Sequence, residues 1–254
     1  MRTLIVTPTY IEGENIEEFL RRTRKAAPDA DVLVVDDNSP DGTADIAERV
    51  GAELGRIEVL RRPDKSGLGV AYRAGFSVGL ERGYDALCQI DADLSHDPAV
   101  LPHLLAPLDA GAADLVIGSR YVPGGSIPNW PFFRRTLSRV GNLYAGILLG
   151  TGIRDATSGY RAYRAETLRT IDYSSTRSKG YGFQIETAYR VWLAGGRVVE
   201  TPIEFTDRVR GSSKMTWSVA AEELGLVTWW GVRDRTRRVL GRAPKPGTGA
   251  PPGR

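Results

Sequence analysis

The sequence predicts an α/β fold: a mostly parallel sheet with helices on both faces, extended by amphipathic helices toward the C-terminus. Three observations carry that prediction. Short apolar runs recur through the first half, as strands buried on both faces do. Stretches with helical apolar spacing separate them, the alternation that builds a parallel sheet. Polar clusters follow the strands, where ligands sit in open sheets of this kind.

Residues 4–6, 32–35, 57–60, 86–90 and 115–118 are the strands so predicted, with helices at 16–27, 43–50, 69–82 and 98–110. Ser39 to Gly42 has turn composition, and Asp41 or Thr43 suits the cap of the next helix. Asp97, ahead of Pro98, suits another cap. The second half is less regular. Residues 130–149 read as a helix, basic and then apolar; 182–194 as a helix; 198–203 as a strand; 218–240 as a long amphipathic helix. The last fourteen residues hold four Gly and four Pro and are expected to be disordered. The chain therefore divides into a main domain at 1–217, an amphipathic segment suited to a membrane interface at 218–240, and a tail at 241–254.

A chain of 254 residues that is 41% hydrophobic can bury one sizeable core. Its single cysteine, Cys88, cannot form an internal disulfide, which fits a reducing compartment. No run approaches the roughly 18–20 apolar residues of a spanning helix. No charged leader with a long apolar stretch opens the chain, so neither a transmembrane helix nor a signal peptide is expected. From Arg233 onward seven Lys/Arg stand against one acid, a balance of +6, so the net +3 leaves −3 on residues 1–232. Such a tail suits an anionic surface, and a membrane rather than nucleic acid is the partner expected here.

Asp36 and Asp37 are adjacent acids at the mouth of an apolar strand, and they repel unless a cation, hydrogen bonds or a donor-rich ligand compensates them. Asp91 and Asp93 follow another strand. In an extended segment both point to one side, which makes a hard-oxygen site suited to Mg²⁺ or Mn²⁺. His96 is read as a loop histidine serving a hydrogen bond rather than a ligand, and His103 as structural. Arg120, Arg134, Arg135, Arg161, Arg208 and Lys214 lie in polar segments downstream, the residue types that clamp phosphates. Lys65 to Gly69 is a weak phosphate-loop pattern, because Tyr72 stands where a dinucleotide fingerprint needs its third glycine.

Together these segments resemble a family 2 glycosyltransferase of the GT-A (Rossmann-like) type, and more closely the dolichol- or polyprenol-phosphate mannose synthases. The matching residues are Pro8-Thr9-Tyr10 with Glu12, Val35 through Thr43, Asp91 through His96, Gly118 through Tyr121, Ser158 through Arg161, and Arg208 with Lys214, over roughly residues 3–217. The resemblance implies an inverting transfer of mannose from GDP-mannose to a polyprenyl phosphate. It implies that Pro8, Tyr10, Glu12, Val35 and Asp37 hold the nucleoside. Asp91, Ala92 and Asp93 would sit at the diphosphate, with Asp93 the principal metal ligand and Ser95 beside it. Arg120, Arg208 and Lys214 would face the donor, and Arg134 and Ser138 the acceptor phosphate; Asp91, Asp93, Arg120 and Arg134 would carry catalysis. Members without transmembrane helices associate peripherally with the cytoplasmic face of the membrane or through an anchoring partner protein. The chemistry agrees: a lipid phosphate is already a nucleophilic anion near neutral pH and needs a cationic cradle rather than a general base.

Three other readings use some of the same residues. A glucosyltransferase using UDP-glucose shares every motif. A non-catalytic nucleotide-sugar-binding protein keeps Asp37 and Asp91 but has little use for Arg134 and Arg135. A haloacid-dehalogenase-type phosphatase shares Asp-x-Asp, yet that motif opens its fold, and three strands precede it here.

Overall fold

The computed structural model describes residues 1–178, 180, 182–207 and 225–234. Arg208, Lys214, the tail at 241–254 and most of the 218–240 segment lie outside the described residues.

Seven strands form one sheet in the order β3-β2-β1-β4-β6-β5-β7. They are β1 (Thr3–Thr9), β2 (Asp31–Asp36), β3 (Ile57–Arg61), β4 (Ala86–Gln89), β5 (Leu115–Ser119), β6 (Arg161–Arg164) and β7 (Val198–Pro202). Only β6 runs against the others, pairing antiparallel with β4 and β5. The helices are α1 (Ile16–Ala26), α2 (Thr43–Leu54), α3 (Leu68–Glu81), α4 (Leu101–Asp109), α5 (Phe132–Leu149), α6 (Ala165–Thr170) and α7 (Gly182–Leu193). Strand pleating sends Leu4 and Val6 to one face and Ile5 to the other. On the first face they meet α3, α5 and α7 through Phe76, Ala145 and Phe183. On the second, α1, α2 and α4 contribute Phe19, Val50 and Leu104. The expected layering is therefore present, with β6 and α6 added.

Residues 225–234 are helical and pack on the main body. Val227 and Trp230 join the first core, and Tyr189 donates to Asp234 Oδ2 at 2.8 Å. No helix among the described residues is long and apolar enough to cross a membrane.

Helix α3 lies unusually close to the sheet because its inner face carries glycines. A Cβ on Gly79 would come 2.5 Å from Leu87 Cδ2, and one on Gly75 would overlap Val6. Overpacking a core costs about 1–3 kcal/mol, and alanine's better helix propensity returns about 1. Because that Cβ would stand 2.3 Å from Val6 Cγ1, Gly75→Ala falls at the upper end of the cost and should lower stability by a net of about 2 kcal/mol in urea unfolding; an unchanged midpoint would mean that α3 can lift off the sheet.

Candidate active site

The C-terminal ends of β1, β2, β4 and β5 share one edge of the sheet, because these strands run in one direction. The polar clusters meet there. Their loops are tied to one another: Ile11 N donates to Ser39 Oγ at 3.1 Å, and Gly13 N to Asp41 Oδ2 at 2.9 Å. Asp41 also accepts from the Thr43 amide at 3.2 Å, but the N-cap position of α2 is Gly42, so Asp41 splices the two loops ahead of the helix rather than capping it. Asp97 caps its helix through the Ala99 amide.

The two adjacent acids have different environments. Asp36 turns inward and accepts from Thr9 Oγ1 at 2.8 Å and from the Ser39 amide at 2.9 Å, so hydrogen bonds compensate its charge. Asp37 pairs with Arg62 at 2.7 Å. Burial pushes the Asp37 carboxyl up, against the pull of Arg62 and the Ser66 amide. Beside it Lys65 Nζ lies 4.0 Å from the centre of the Tyr10 ring. Arg62 carries no signal in the sequence, and Lys65 appears there only as the start of a weak phosphate-loop pattern; they join Tyr10 and Asp37 only through the fold. Pro8 pairs in register with Val35, whose side chain is buried under Gly75 of α3. Glu12 accepts from Asn15 Nδ2 at 3.0 Å and braces the start of α1.

Strand β4 ends at Gln89, and residues 91–95 form a turn in which Leu94 takes φ 60°. The extended-strand argument for Asp91 and Asp93 is thereby corrected: a turn, not pleating, orients them. Asp91 Oδ1 accepts from the Tyr72 hydroxyl at 2.8 Å. The Tyr72 position thus serves the first carboxylate instead of closing a glycine fingerprint. Asp93 is buried, and its Oδ1 accepts the Ser95 amide at 3.0 Å. Ala92 lies in the second core.

The Ser95 hydroxyl is buried without a hydrogen-bond partner among the described residues. An orphaned hydroxyl on the turn that holds Asp93 fits the oxygen donor set of Mg²⁺ or Mn²⁺. Among the described residues no three His, Cys, Asp or Glu side chains form a closed metal cage. An ion held by Asp93 and Ser95 would need water or a bound diphosphate for the rest of its oxygen ligands.

His96 departs from its expected role. It is buried edge-on between Tyr160 and Phe205, and its Nδ1 has no partner among the described residues. Burial lowers its pKa to about 4, with Asp93 opposing and Arg120 reinforcing that fall, so the ring is neutral near pH 7.

Arg120 follows β5 and is nearly enclosed. Its Nε and Nη2 grip Asp155 at 2.8 and 2.7 Å, and its amide donates to the same carboxylate at 2.9 Å. Arg120 also lines a cavity of about 400 Å³ with Tyr121, Ser126, Arg135 and Arg139. Ser138 stands at its side, accepting from the Tyr121 hydroxyl at 2.7 Å. Arg134 does not line that cavity itself: it pairs with Asp207 at 2.8 Å and lies 4.0 Å over the Trp130 ring, which is also 5.7 Å from Arg120. Arg139, one turn beyond Arg135, is the cavity residue that the sequence reading passed over, although the i, i+4 spacing was visible. Arg161 is corrected from a phosphate clamp to a buried brace. It is fully covered, and its guanidinium donates to the carbonyls of Ala156, Ser158 and Gln184.

Comparison with known proteins settles the family. Residues 4–172 match the model of Glycosyl transferase family 2. The chain belongs to this family. The glycosyltransferase is 52% identical over 235 residues to an undecaprenyl-phosphate mannosyltransferase of Micrococcus luteus, covering 92% of this chain and 96% of that one. It is 51% identical over 241 residues to the polyprenol monophosphomannose synthase of Mycolicibacterium smegmatis, with coverages of 94% and 91%. Among solved structures, a Pyrobaculum calidifontis mannosyltransferase in complex with GDP-Man and Mn²⁺ superposes with a TM-score of 0.64 at 19% identity. That match covers 96% of this glycosyltransferase and 66% of the other chain, a likeness of fold.

Proposed function

We propose that this glycosyltransferase moves mannose from GDP-mannose to a polyprenyl phosphate with inversion, giving polyprenyl phosphate mannose and GDP. The observation that carries the reading is the cavity walled by Arg120, Arg135 and Arg139, at the β5 end of the same sheet edge that carries the Asp91–Asp93 turn after β4. Three guanidiniums suit an anionic acceptor, and among the described residues no carboxylate lines that cavity as a general base. The high identity to two polyprenyl-phosphate mannosyl enzymes supports the same donor and acceptor.

In this reading Tyr10 and Asp37 hold the nucleoside, with Pro8, Val35 and Glu12 shaping the pocket edge. Asp91, Ala92 and Asp93 form the turn under the diphosphate. Asp93 and Ser95 would hold a divalent ion, Mg²⁺ or Mn²⁺, which when bound would supply charge neutralisation for a departing diphosphate. Tyr72 fixes Asp91. Arg120 and Ser138 orient the acceptor phosphate so that its oxygen meets the sugar from the far side of the leaving group. Arg208 and Lys214 belong to the donor side of this proposal and lie outside the described residues.

The test supplies labelled GDP-mannose or UDP-glucose with a polyprenyl phosphate and Mg²⁺ or Mn²⁺. Mannosyl lipid from GDP-mannose alone is expected. Glucosyl lipid would replace the donor assignment, and donor binding without any transfer would make the protein a non-catalytic binder. Arg139→Ala should raise the acceptor KM about tenfold or more, since a charge-assisted hydrogen bond contributes about 1.5–3 kcal/mol. Arg134→Ala should have the smaller effect, because Arg134 is engaged by Asp207. The reverse order would place the phosphate outside the cavity.

Access to the lipid follows from α5. Phe132, Phe133, Val140, Leu143 and Ile147 are all more than half exposed, on a helix that also carries Arg135 and Arg139. Trp229 and Val232 are exposed on the neighbouring helix, joined to α5 where the Tyr144 and Thr228 hydroxyls bond at 2.8 Å. This surface rests on the cytoplasmic leaflet, a peripheral attachment that a partner protein could strengthen. Co-sedimentation with anionic vesicles should fall sharply in Phe133→Asp/Leu143→Asp; unchanged binding would move the attachment to another segment.

A further inference from the structure

Residues 203–207, which follow β7, are hydrogen-bonded to the Asp93 turn and to the Arg120 cavity at once. Toward the cavity, the Phe205 amide donates to the Ser126 carbonyl at 3.0 Å, and the Ser126 amide to the Ile203 carbonyl at 3.0 Å. Ser126 is itself a cavity wall. Toward the turn, the Thr206 amide donates to the Ser95 carbonyl at 3.2 Å, and Phe205 forms an antiparallel bridge with His96. At the end of the segment, Asp207 accepts from Trp130 Nε1 at 3.1 Å and from Arg134 at 2.8 Å.

The Phe205 side chain repeats that double attachment. Its ring meets the His96 ring edge-to-face at 5.0 Å and the Trp130 ring at 5.5 Å, and the Arg120 guanidinium carbon lies 5.4 Å from its centre. Such ring–ring and cation–ring contacts are directional, so a shift at one partner is felt by the others. The turn is also held at a cost. Leu94 takes φ 60°, unfavourable for a bulky side chain, and the buried Ser95 Oγ and His96 Nδ1 have no hydrogen-bond partner among the described residues. Strained and unpaired groups of this kind are the ones that rearrange when a ligand satisfies them. His96, on that turn, is the ring that touches Phe205.

We propose that Phe205 is a positioning residue that ties the Asp93 turn to Arg120, so that a nucleoside diphosphate at the turn and a phosphate monoester in the cavity strengthen each other's binding. The proposal rests on the reading of the cavity as the acceptor site and adds to it how the two substrates are matched. A diphosphate that settles the turn fixes His96; His96 fixes the Phe205 ring, and the ring fixes the guanidinium and Trp130. Linkage makes the effect reciprocal, so the acceptor tightens the donor by the same factor. A gain of about fivefold corresponds to about 1 kcal/mol, the scale of edge-to-face ring contacts.

Two variants of the full chain test it. Phe205→Leu removes the ring and keeps the backbone bridges to Ser126 and Ser95; Phe205→Tyr keeps both. Titration calorimetry measures geranyl phosphate binding with and without saturating GDP and Mn²⁺, and GDP binding in Mn²⁺ with and without geranyl phosphate. In wild type each ligand should tighten the other by about fivefold or more. In Phe205→Leu each ligand alone should bind within about twofold of wild type, while the mutual gain falls below about twofold. Phe205→Tyr should restore the gain. Turnover adds a split that a loss of stability would not produce. In the leucine variant the acceptor KM rises by the lost factor at saturating GDP-mannose and stays at the wild-type value when GDP-mannose is scarce. An undiminished gain in Phe205→Leu would route the coupling through Tyr160, whose ring lies 5.3 Å from His96, and would overturn the assignment. So would the absence of any gain in wild type, a tyrosine variant that behaves like leucine, or a leucine variant that loses the affinity for either ligand alone. Wild-type protein that shows the mutual gain but transfers no mannose to polyprenyl phosphate would defeat the transferase reading and leave the tie standing.

Discussion

Asp93→Ala should lower mannosyl transfer by about a thousandfold or more while the protein still folds. Stabilising a departing diphosphate by a metal contributes several kcal/mol to the barrier, and about 4 kcal/mol corresponds to a thousandfold in rate. Asp93 is buried at 4% exposure and its Oδ1 holds the Ser95 amide, so removing the side chain also loosens the turn. Asp93→Asn separates the two effects. It keeps the acceptor for Ser95 and the packing, and it removes only the negative charge. Both variants should lose most activity, and calorimetry should show that Mn²⁺ no longer strengthens GDP binding. Asp91→Ala should be nearly as severe, while Asp37→Ala should chiefly weaken the donor. Turnover near wild type in Asp93→Asn, still dependent on metal, would sink the assignment of Asp93.

Of the first five strands, β1, β2, β4 and β5 were readable because each is buried on both faces and appears as an apolar run, Val32 to Val35 and Leu115 to Gly118 being examples. Strand β3, at the sheet edge and only half-buried, was carried by Ile57, Val59 and Leu60. The missed strand, β6, has arginine at both ends. Arg161 is tolerated inside because carbonyls on separate segments accept its hydrogen bonds, a pattern that no local window contains. The motif acids were visible as clusters, but their division of labour was not. Asp36 is a turn brace and Asp37 an ion-pair partner because Thr9 and Arg62, 27 and 25 residues away along the chain, claim one each. Tyr72 looked like a broken glycine motif, and only its contact with Asp91 gives it a purpose. Asp155 carried no signal in the sequence at all, since it acts on a partner 35 residues distant.

Asp155 is the residue whose loss should most damage stability. Its side chain is completely buried, and it receives three hydrogen bonds from Arg120. Its neighbours fix its place, since Glu200 accepts the Arg154 and Asp155 amides at 2.9 Å. Removing one partner of a buried pair leaves an uncompensated charge and costs about 3–5 kcal/mol. Asp155→Ala should therefore lose that much in urea unfolding at pH 7, and Asp155→Asn somewhat less, because the amide retains one acceptor. Burial alone would raise the Asp155 carboxyl, but Arg120 and the hydrogen bonds outweigh it and hold the group below the ordinary carboxylate range. A depressed pKa means that the unfolded chain takes up the proton first. The contribution of Asp155 is complete above about pH 4, the unfolded value, and fades as pH falls toward the lower folded value. The gap between wild type and Asp155→Asn should accordingly narrow in melts taken progressively below pH 4. Activity should follow a different course: Arg120, released from Asp155, no longer presents a fixed edge to the cavity, so acceptor KM should rise more than donor KM. Arg120→Lys should not substitute, because a lysine cannot make the two-pronged contact with Asp155. A stability loss below about 1 kcal/mol in Asp155→Ala would mean that water or another cation reaches the pair, and the buried reading of this contact would fail.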